Sequence, residues 1–236
     1  MTMKTLTISL FVLLALGTTK HTNAQTSNAI NLTGTNYVDA GSTLNATNIK
    51  TLECWVKFNN FTGTQEILSR STNAAGIELL VYNNTLAFFC MQSGSNTSNV
   101  SYPTSNLTAG VWYHIAATWD GTKESMSIYV NGVKVSGAPS NVGNINTNPI
   151  VNPSGTFRIG QWSDAGSTRY LNGTVDEVRI WSINRTASEI KNGLYNPVAT
   201  NTPGLLAYYN FNEASGTAVN ATGNTAFDGI LMGSPS

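Results

Sequence analysis

The sequence predicts an all-β fold, a sandwich or a barrel assembled from short antiparallel strands, and three observations predict it. Short runs rich in β-branched and aromatic residues recur along the chain, each closed by Gly, Asn or Ser. Asn131-Gly132 sits between Ser127-Ile128-Tyr129-Val130 and Val133-Lys134-Val135. That pair marks a type I′ hairpin, because both central residues must take positive φ. Only one stretch reads as a helix, which argues against alternating βαβ units.

Taken in order, the runs place strands at about 28–32, 36–39, 51–58, 65–70, 77–82, 85–91, 111–119, 125–130, 133–136, 156–161, 174–182 and 205–211. The helix is announced by Thr186-Ala187-Ser188-Glu189, a capping box in which the Thr hydroxyl and the Glu carboxylate serve the exposed amides of the first turn. Ile190 and Leu194 supply its apolar stripe, and Gly193 permits the stop.

The chain begins with a charged segment, Met1 to Lys4, and an apolar run from Leu6 to Leu16. Thr22-Asn23-Ala24 before Gln25 offers a small-x-small cleavage site, so residues 1–24 read as a secretory signal peptide. The apolar run falls short of the roughly 20 residues that a membrane span needs. Residues 25–236 then form a single domain of about 210 residues, exported to the periplasm, the cell surface or the medium.

Removal of Lys4 and Lys20 leaves ten basic residues against twelve acidic ones, a formal charge of −2. No basic stripe is present to neutralise phosphates, which excludes nucleic acid as the expected partner. Asn, Thr, Ser and Gly fill the place of charges, a surface suited to sugar hydroxyls. Cys54 and Cys90 sit inside the apolar runs Leu52-Glu53-Cys54-Trp55-Val56 and Phe88-Phe89-Cys90. Export permits a disulfide, and a bridge and two free buried thiols are both open. The Asn-x-Ser/Thr triplets at Asn31, Asn60, Asn106, Asn172 and Asn184 follow from composition and carry no weight.

Four stretches together resemble the laminin-G-like domains of the concanavalin A-like, pentraxin-related jelly rolls. Thr51-Leu52-Glu53-Cys54-Trp55-Val56-Lys57 is similar to an early "TIEAWVK" strand. Gly110–Asp120, followed by Ile128-Tyr129-Val130-Asn131-Gly132, resembles "WHHVAVTYDG…LYVNG". Leu171–Trp181 resembles "FNGxIDEVRIW", and Gly204–Gly216 resembles "GLVAYWPFNEGSG". In order and spacing they cover nearly all of residues 28–232. The resemblance implies a concanavalin A-like jelly-roll β-sandwich of two antiparallel sheets with one short helix. It also embraces lectins, adhesion modules and glycoside hydrolases, so fold leaves function open.

Catalysis needs a constellation that the chain lacks. Hydrolases of this fold carry an E-x-D-x-x-E run, and none occurs here. Glu53, Glu66, Glu78, Asp120, Glu124 and Asp164 are scattered singly and read as solvated surface. His21 leaves with the signal segment, and His114 reads as a packed, structural histidine. With one His and two Cys in no ligand spacing, zinc is unsupported.

Calcium is the metal expected, since the chain is rich in oxygen donors. The resemblance implies a structural Ca²⁺ near Asp176, to which Asn210, Asn212 and Asp39 could contribute if the opening and closing strands lie alongside. Pairing of Asp176 with Arg179 or another base, or capping of backbone amides, is the alternative. For ligand binding the candidates are Trp162, Asp164, Tyr170 and Tyr102, aromatic faces and a carboxylate within polar stretches. Asp164 follows Ile159-Gly160-Gln161 where pentraxins carry an acidic cluster, of which it alone is kept. The functional expectation is a secreted, non-catalytic module for a polysaccharide or surface glycoprotein. Its alternative is an assembly protein that self-associates or binds another protein.

Overall fold

The computed structural model describes residues 28–72, 75–92, 96–121, 125–138, 140–142, 150–164, 166, 168–213 and 216–233. The expected signal segment, residues 1–24, lies outside them. The strands are β1 (Ile30–Thr33), β2 (Tyr37–Asp39), β3 (Thr51–Phe58), β4 (Gln65–Thr72), β5 (Ala75–Tyr82), β6 (Thr85–Gln92), β7 (Asn96–Pro103), β8 (Trp112–Thr118), β9 (Ser127–Val130), β10 (Val133–Lys134), β11 (Ser140–Val142), β12 (Arg158–Ile159), β13 (Asn172–Trp181), β14 (Leu205–Tyr209), β15 (Ala218–Val219) and β16 (Gly229–Met232), with the helix α1 (Ala187–Gly193) between β13 and β14.

The strands form two antiparallel sheets. The first runs β1-β13-β3-β8-β9-β10, and β14 also pairs with β13. β1 lies along Asn172–Val175 of β13 and β14 along Val178–Trp181, so the two share one flank of that long strand. The second sheet runs β11-β7-β6-β5-β4-β12-β2-β16-β15. This is the sandwich expected.

Period-two alternation decides what each sheet buries. On β3, Leu52, Cys54, Val56 and Phe58 enter one shared core. From the second sheet Ile77, Leu79 and Val81 of β5 and Leu86, Phe88 and Cys90 of β6 meet them. Cys54 and Cys90 are free thiols within this interior. Burial pushes both thiols up from their usual range, which keeps them protonated.

Local signals placed the turns correctly. Asn131 and Gly132 have φ of 51° and 76°, and Val130 pairs with Val133 across them, as a type I′ turn requires. α1 is capped reciprocally, Thr186 serving the Glu189 amide and Glu189 the Thr186 amide.

The helix covers the outer face of the first sheet. Ile190 is buried there against Ala116 and Tyr129, and Trp55 donates from Nε1 to the Leu194 carbonyl at 3.2 Å. Among the described residues no helix lies on β5 and β6 of the second sheet, whose outer face carries buried Glu78, Leu80 and Met91 beside exposed Tyr82.

Strand β7 was not expected. Asn96-Thr97-Ser98-Asn99 carries little β propensity, and Val100 and Tyr102 are the hydrophobic residues β7 turns to the interior. The short pairs β11 with β7 and β15 with β16 were missed for a similar reason, being brief and set among turn residues.

Candidate functional site

Three neighbouring strands and one loop build a concave site on the second sheet. Strand β5 turns Glu78, Leu80 and Tyr82 outward, and β6 turns Phe89 and Met91 outward beside them. Residues 161–164 and 168–170 lie over β4 as the two arms of a hairpin. Gln161 bridges to Tyr170, and the Trp162 amide donates to the Arg169 carbonyl at 3.1 Å. Gly160 starts this hairpin at φ 84°, packed so closely on Leu32 that a Cβ would lie 2.2 Å from its Cδ1. Only glycine fits there.

Hydroxyl groups pin the hairpin to the sheet. The Ser163 amide donates to Ser69 Oγ at 3.1 Å, and Ser163 Oγ donates to the Ser71 carbonyl at 2.6 Å. Trp162 Nε1 donates to Ser71 Oγ at 2.8 Å, and Ser71 Oγ donates onward to Glu78 Oε1 at 2.6 Å. The Arg169 guanidinium lies 3.5 Å over the Trp162 ring and 3.7 Å from Glu78 Oε2. These contacts fix Trp162, Arg169 and Glu78 relative to one another before any ligand arrives.

The concavity holds about 240 Å³ and is lined by Glu78, Leu80, Tyr82, Phe89, Met91, Thr97, Trp162 and Arg169. That is below the roughly 300–1,000 Å³ of pockets that engulf drug-sized ligands, so it suits one ring or the end of a chain. Tyr82 and Phe89 stand edge to face with centroids 6.0 Å apart, and Tyr82 is 41% exposed. Such rings offer apolar faces, and Glu78, Thr97 and Arg169 add polar groups beside them.

Of the four expected ligand residues, the structure brings Trp162 to this site. Asp164 follows it in the same hairpin, half-buried and outside the lining. Tyr170 packs its ring 6.3 Å from Tyr37, beyond the lining. Tyr102 requires correction. It lies on β7 and packs inward on the core, because alternation that exposes Thr97 and Ser101 turns Tyr102 in.

Sequence reasoning missed Tyr82, Phe89, Met91, Glu78 and Arg169. A signal was present: Ile77–Tyr82 and Leu86–Met91 are nearly continuous apolar runs where a half-solvated strand should alternate.

The expected calcium set is not assembled. Asp176 lies on the outer side of the first sheet, between the inward Val175 and Val178, at a bulge where Glu177 has φ 53°. It is 2% exposed, and its Oδ1 accepts the Glu177 amide at 2.7 Å. Asp39 lies on β2 in the other sheet, bonded by Thr156 Oγ1 at 2.9 Å, so one ion cannot span both. The reason is topological. The opening strand β2 pairs with β16 and β12, whereas the strand leading to Asn210 and Asn212 pairs with β13. Asn210 Oδ1 is turned toward the Asn212 amide at 3.4 Å. Arg179 pairs with Glu177 at 2.6 Å. Among the described residues no group of three or more His, Cys, Asp or Glu could hold a metal ion.

The acids also need correction. Glu53 and Glu66 are fully buried and Glu78 nearly so, against an expected solvated surface, while Asp120 is exposed. Glu124 lies outside the described residues. Single charges look solvated in a sequence, but outward positions of a sheet are buried wherever a helix or hairpin lies on them. His114, 1% exposed and facing Glu53 at 3.7 Å, is packed as expected.

Comparison with known proteins agrees with this architecture. No curated protein sequence matches the chain. A solved structure from Bacteroides ovatus ATCC 8483, provisionally assigned as a carbohydrate binding protein, superposes with a TM-score of 0.65 at 22% identity. The match covers 88% of this chain and 58% of that one, so this chain spans under two thirds of its length. The Ruminococcus gnavus IT-sialidase CBM40 matches with a TM-score of 0.51 at 12% identity, over 70% of this chain and 96% of that one. Its complex with α2,3-sialyllactose gives a TM-score of 0.50 at 11% identity over the same shares. At these identities the likenesses show the fold. The sequence model of the concanavalin A-like lectin/glucanases superfamily, in its laminin-G form, matches residues 32–191, more than half of the chain. With the two sheets, the capped helix and the motif order described above, this chain belongs to that superfamily.

Proposed function

We propose that the protein is an exported, non-catalytic carbohydrate-binding module whose ligand site is the concavity on the second sheet. The observation that carries this reading is the composition of that face. Exposed Tyr82 and half-buried Phe89, with buried Leu80 and Met91 beneath, form an apolar floor beside the fixed Trp162–Arg169–Glu78 group. A second concavity of about 270 Å³ lies near Ile30, Phe211 and Leu231, but neither an arginine nor a tryptophan lines it. The carbohydrate-binding proteins of similar fold support the reading, including one whose structure holds sialyllactose.

The acids favour binding over hydrolysis. Glycoside cleavage needs two carboxylates reaching one bond. The site offers Glu78, held by Ser71 and Arg169, and its neighbour Glu66 is sealed at 0% exposure.

Residues 25–236 should be retained on an insoluble polysaccharide or give discrete signals on a glycan array. Trp162→Ala should weaken that binding about tenfold or more, close to 1.4 kcal/mol, because ring area and the anchor for Arg169 vanish together. Tyr195→Ala, an exposed ring beside Trp55 on the other face, should leave binding unchanged. Equal losses from both variants would remove the site from this face.

The alternative, an assembly protein, is favoured by one observation. Strand β10 closes an edge of the first sheet with Val133 61% exposed, an open pairing surface. Silence on the array together with a discrete oligomer in light scattering would select it.

A further inference from the structure

We infer that the concavity takes uncharged sugars, and that Glu78 is the residue that turns away glycans bearing a carboxylate. This deepens the carbohydrate-binding reading and rests on it.

The argument is one of charge balance. Among the lining residues Arg169 and Glu78 are the oppositely chargeable pair, 3.7 Å apart; burial pushes the Glu78 carboxyl up, and the bonds from Ser71 and Trp162 and the Arg169 charge favour its anion. The guanidinium is already laid flat on Trp162, and the carboxylate is tied through Ser71 to Trp162 Nε1 and the hairpin. Neither group can swing away without breaking a contact that holds the other. A ligand carboxylate approaching Arg169 would have to displace Glu78, which is only 5% exposed. A buried charge stripped of its partner is costly, and the arriving anion would also face Glu78 as a like charge.

Two neighbouring groups, Glu66 and Arg158, leave that balance as it is. Burial pushes the Glu66 carboxyl well above the usual carboxylate range, Glu78 adds to the rise and Arg169 opposes it, which favours the neutral form. On β12 and β2, Arg158 lies 3.9 Å from Asp39 and spends its Nη1 on Gln161 and the Trp162 carbonyl. Hydroxyl groups, in contrast, meet the site without any rearrangement. They can donate to Glu78 and accept from Arg169 while the pair stays intact.

The test is a glycan array of neutral oligosaccharides and their carboxylate-bearing counterparts, with lactose against α2,3-sialyllactose as the reference pair. At neutral pH and low salt the neutral members should bind at least tenfold more tightly. High salt should narrow the gap, since screening weakens the repulsion. Glu78→Gln removes one negative charge from beside Arg169 and should raise retention of the carboxylate-bearing members relative to the neutral ones. Equal or tighter binding of the carboxylate-bearing members by the native protein overturns this inference and leaves the site standing. An array silent in both classes overturns the carbohydrate-binding reading beneath it.

Discussion

Glu53→Ala lowers the unfolding free energy by about 3–5 kcal/mol, the scale for breaking a buried charge cluster by removing one partner. Glu53 is fully buried on the outer side of β3, beneath α1 and the chain around it. It accepts Arg185 Nη1 at 2.6 Å and Trp181 Nε1 at 2.9 Å, and Arg179 Nη1 lies 3.9 Å away. Without the carboxylate, two guanidinium groups share a dry pocket. Arg179 keeps Glu177, but Arg185 keeps only the Glu189 carbonyl and the Trp181 face. Glu53→Gln preserves the acceptor oxygen and should lose less. Urea melts of the three proteins decide it, and an alanine variant within 1 kcal/mol of the native protein would mean that the cluster does not hold the helix-bearing face.

His114 gives this cluster a pH signature. Burial, followed by the Arg179 and Arg185 charges, depresses its pKa from 6.5 to about 3. The unfolded chain therefore binds a proton below about pH 6.5 that the native state refuses. Its contribution to stability is complete above that pH and is lost as pH falls, at up to about 1.4 kcal/mol per unit. His114→Phe should make the decline between pH 6.5 and 4 shallower. An unchanged slope would assign the acid limb to other groups.

The contrast between what the sequence disclosed and what it hid has a physical basis. Asn131-Gly132 and the Thr186–Glu189 box were legible because a turn type and a helix cap are local, each set by two to four residues. The core of β3 and β13 was legible from alternation. The site was half legible. Trp162 stood out as a large ring in a polar stretch, whereas Tyr82 and Phe89 were hidden within apolar runs that looked like core. Deciding that they face solvent requires knowing that α1 covers the first sheet and not the second, which depends on how strands 100 residues apart pair. The same limit misplaced Asp39 beside Asp176. Both are acids next to apolar neighbours, and only sheet order puts them on opposite faces.

Glu66→Leu stabilises the protein, and the gain widens with pH. Glu66 sits at a bulge in β4, opposite Leu80, with 0% exposure and neither carboxyl oxygen hydrogen-bonded. Burial is the largest cause of its raised pKa, the Glu78 charge adds to it, and Arg169 opposes both. A carboxyl whose folded pKa lies above its unfolded value binds its proton more tightly when native. It contributes fully below the unfolded pKa, near 4.5, and that contribution is lost as pH rises toward the folded value. Leucine has no proton to lose, so the difference between variant and native should be smallest near pH 4. It should then grow by up to about 1.4 kcal/mol per unit until Glu66 ionises. Taking the difference cancels His114 and Glu189, whose depressed pKa values act in the opposite sense in both proteins. Thermal or urea melts of the pair at pH 4, 5.5, 7 and 8.5 measure it. A constant difference across that range would show Glu66 already charged in the native state, and with it a second negative charge beneath the Arg169–Glu78 pair. Selection against carboxylate ligands would then be stronger than Glu78 alone provides, so the stability series also reads the electrostatics of the binding face.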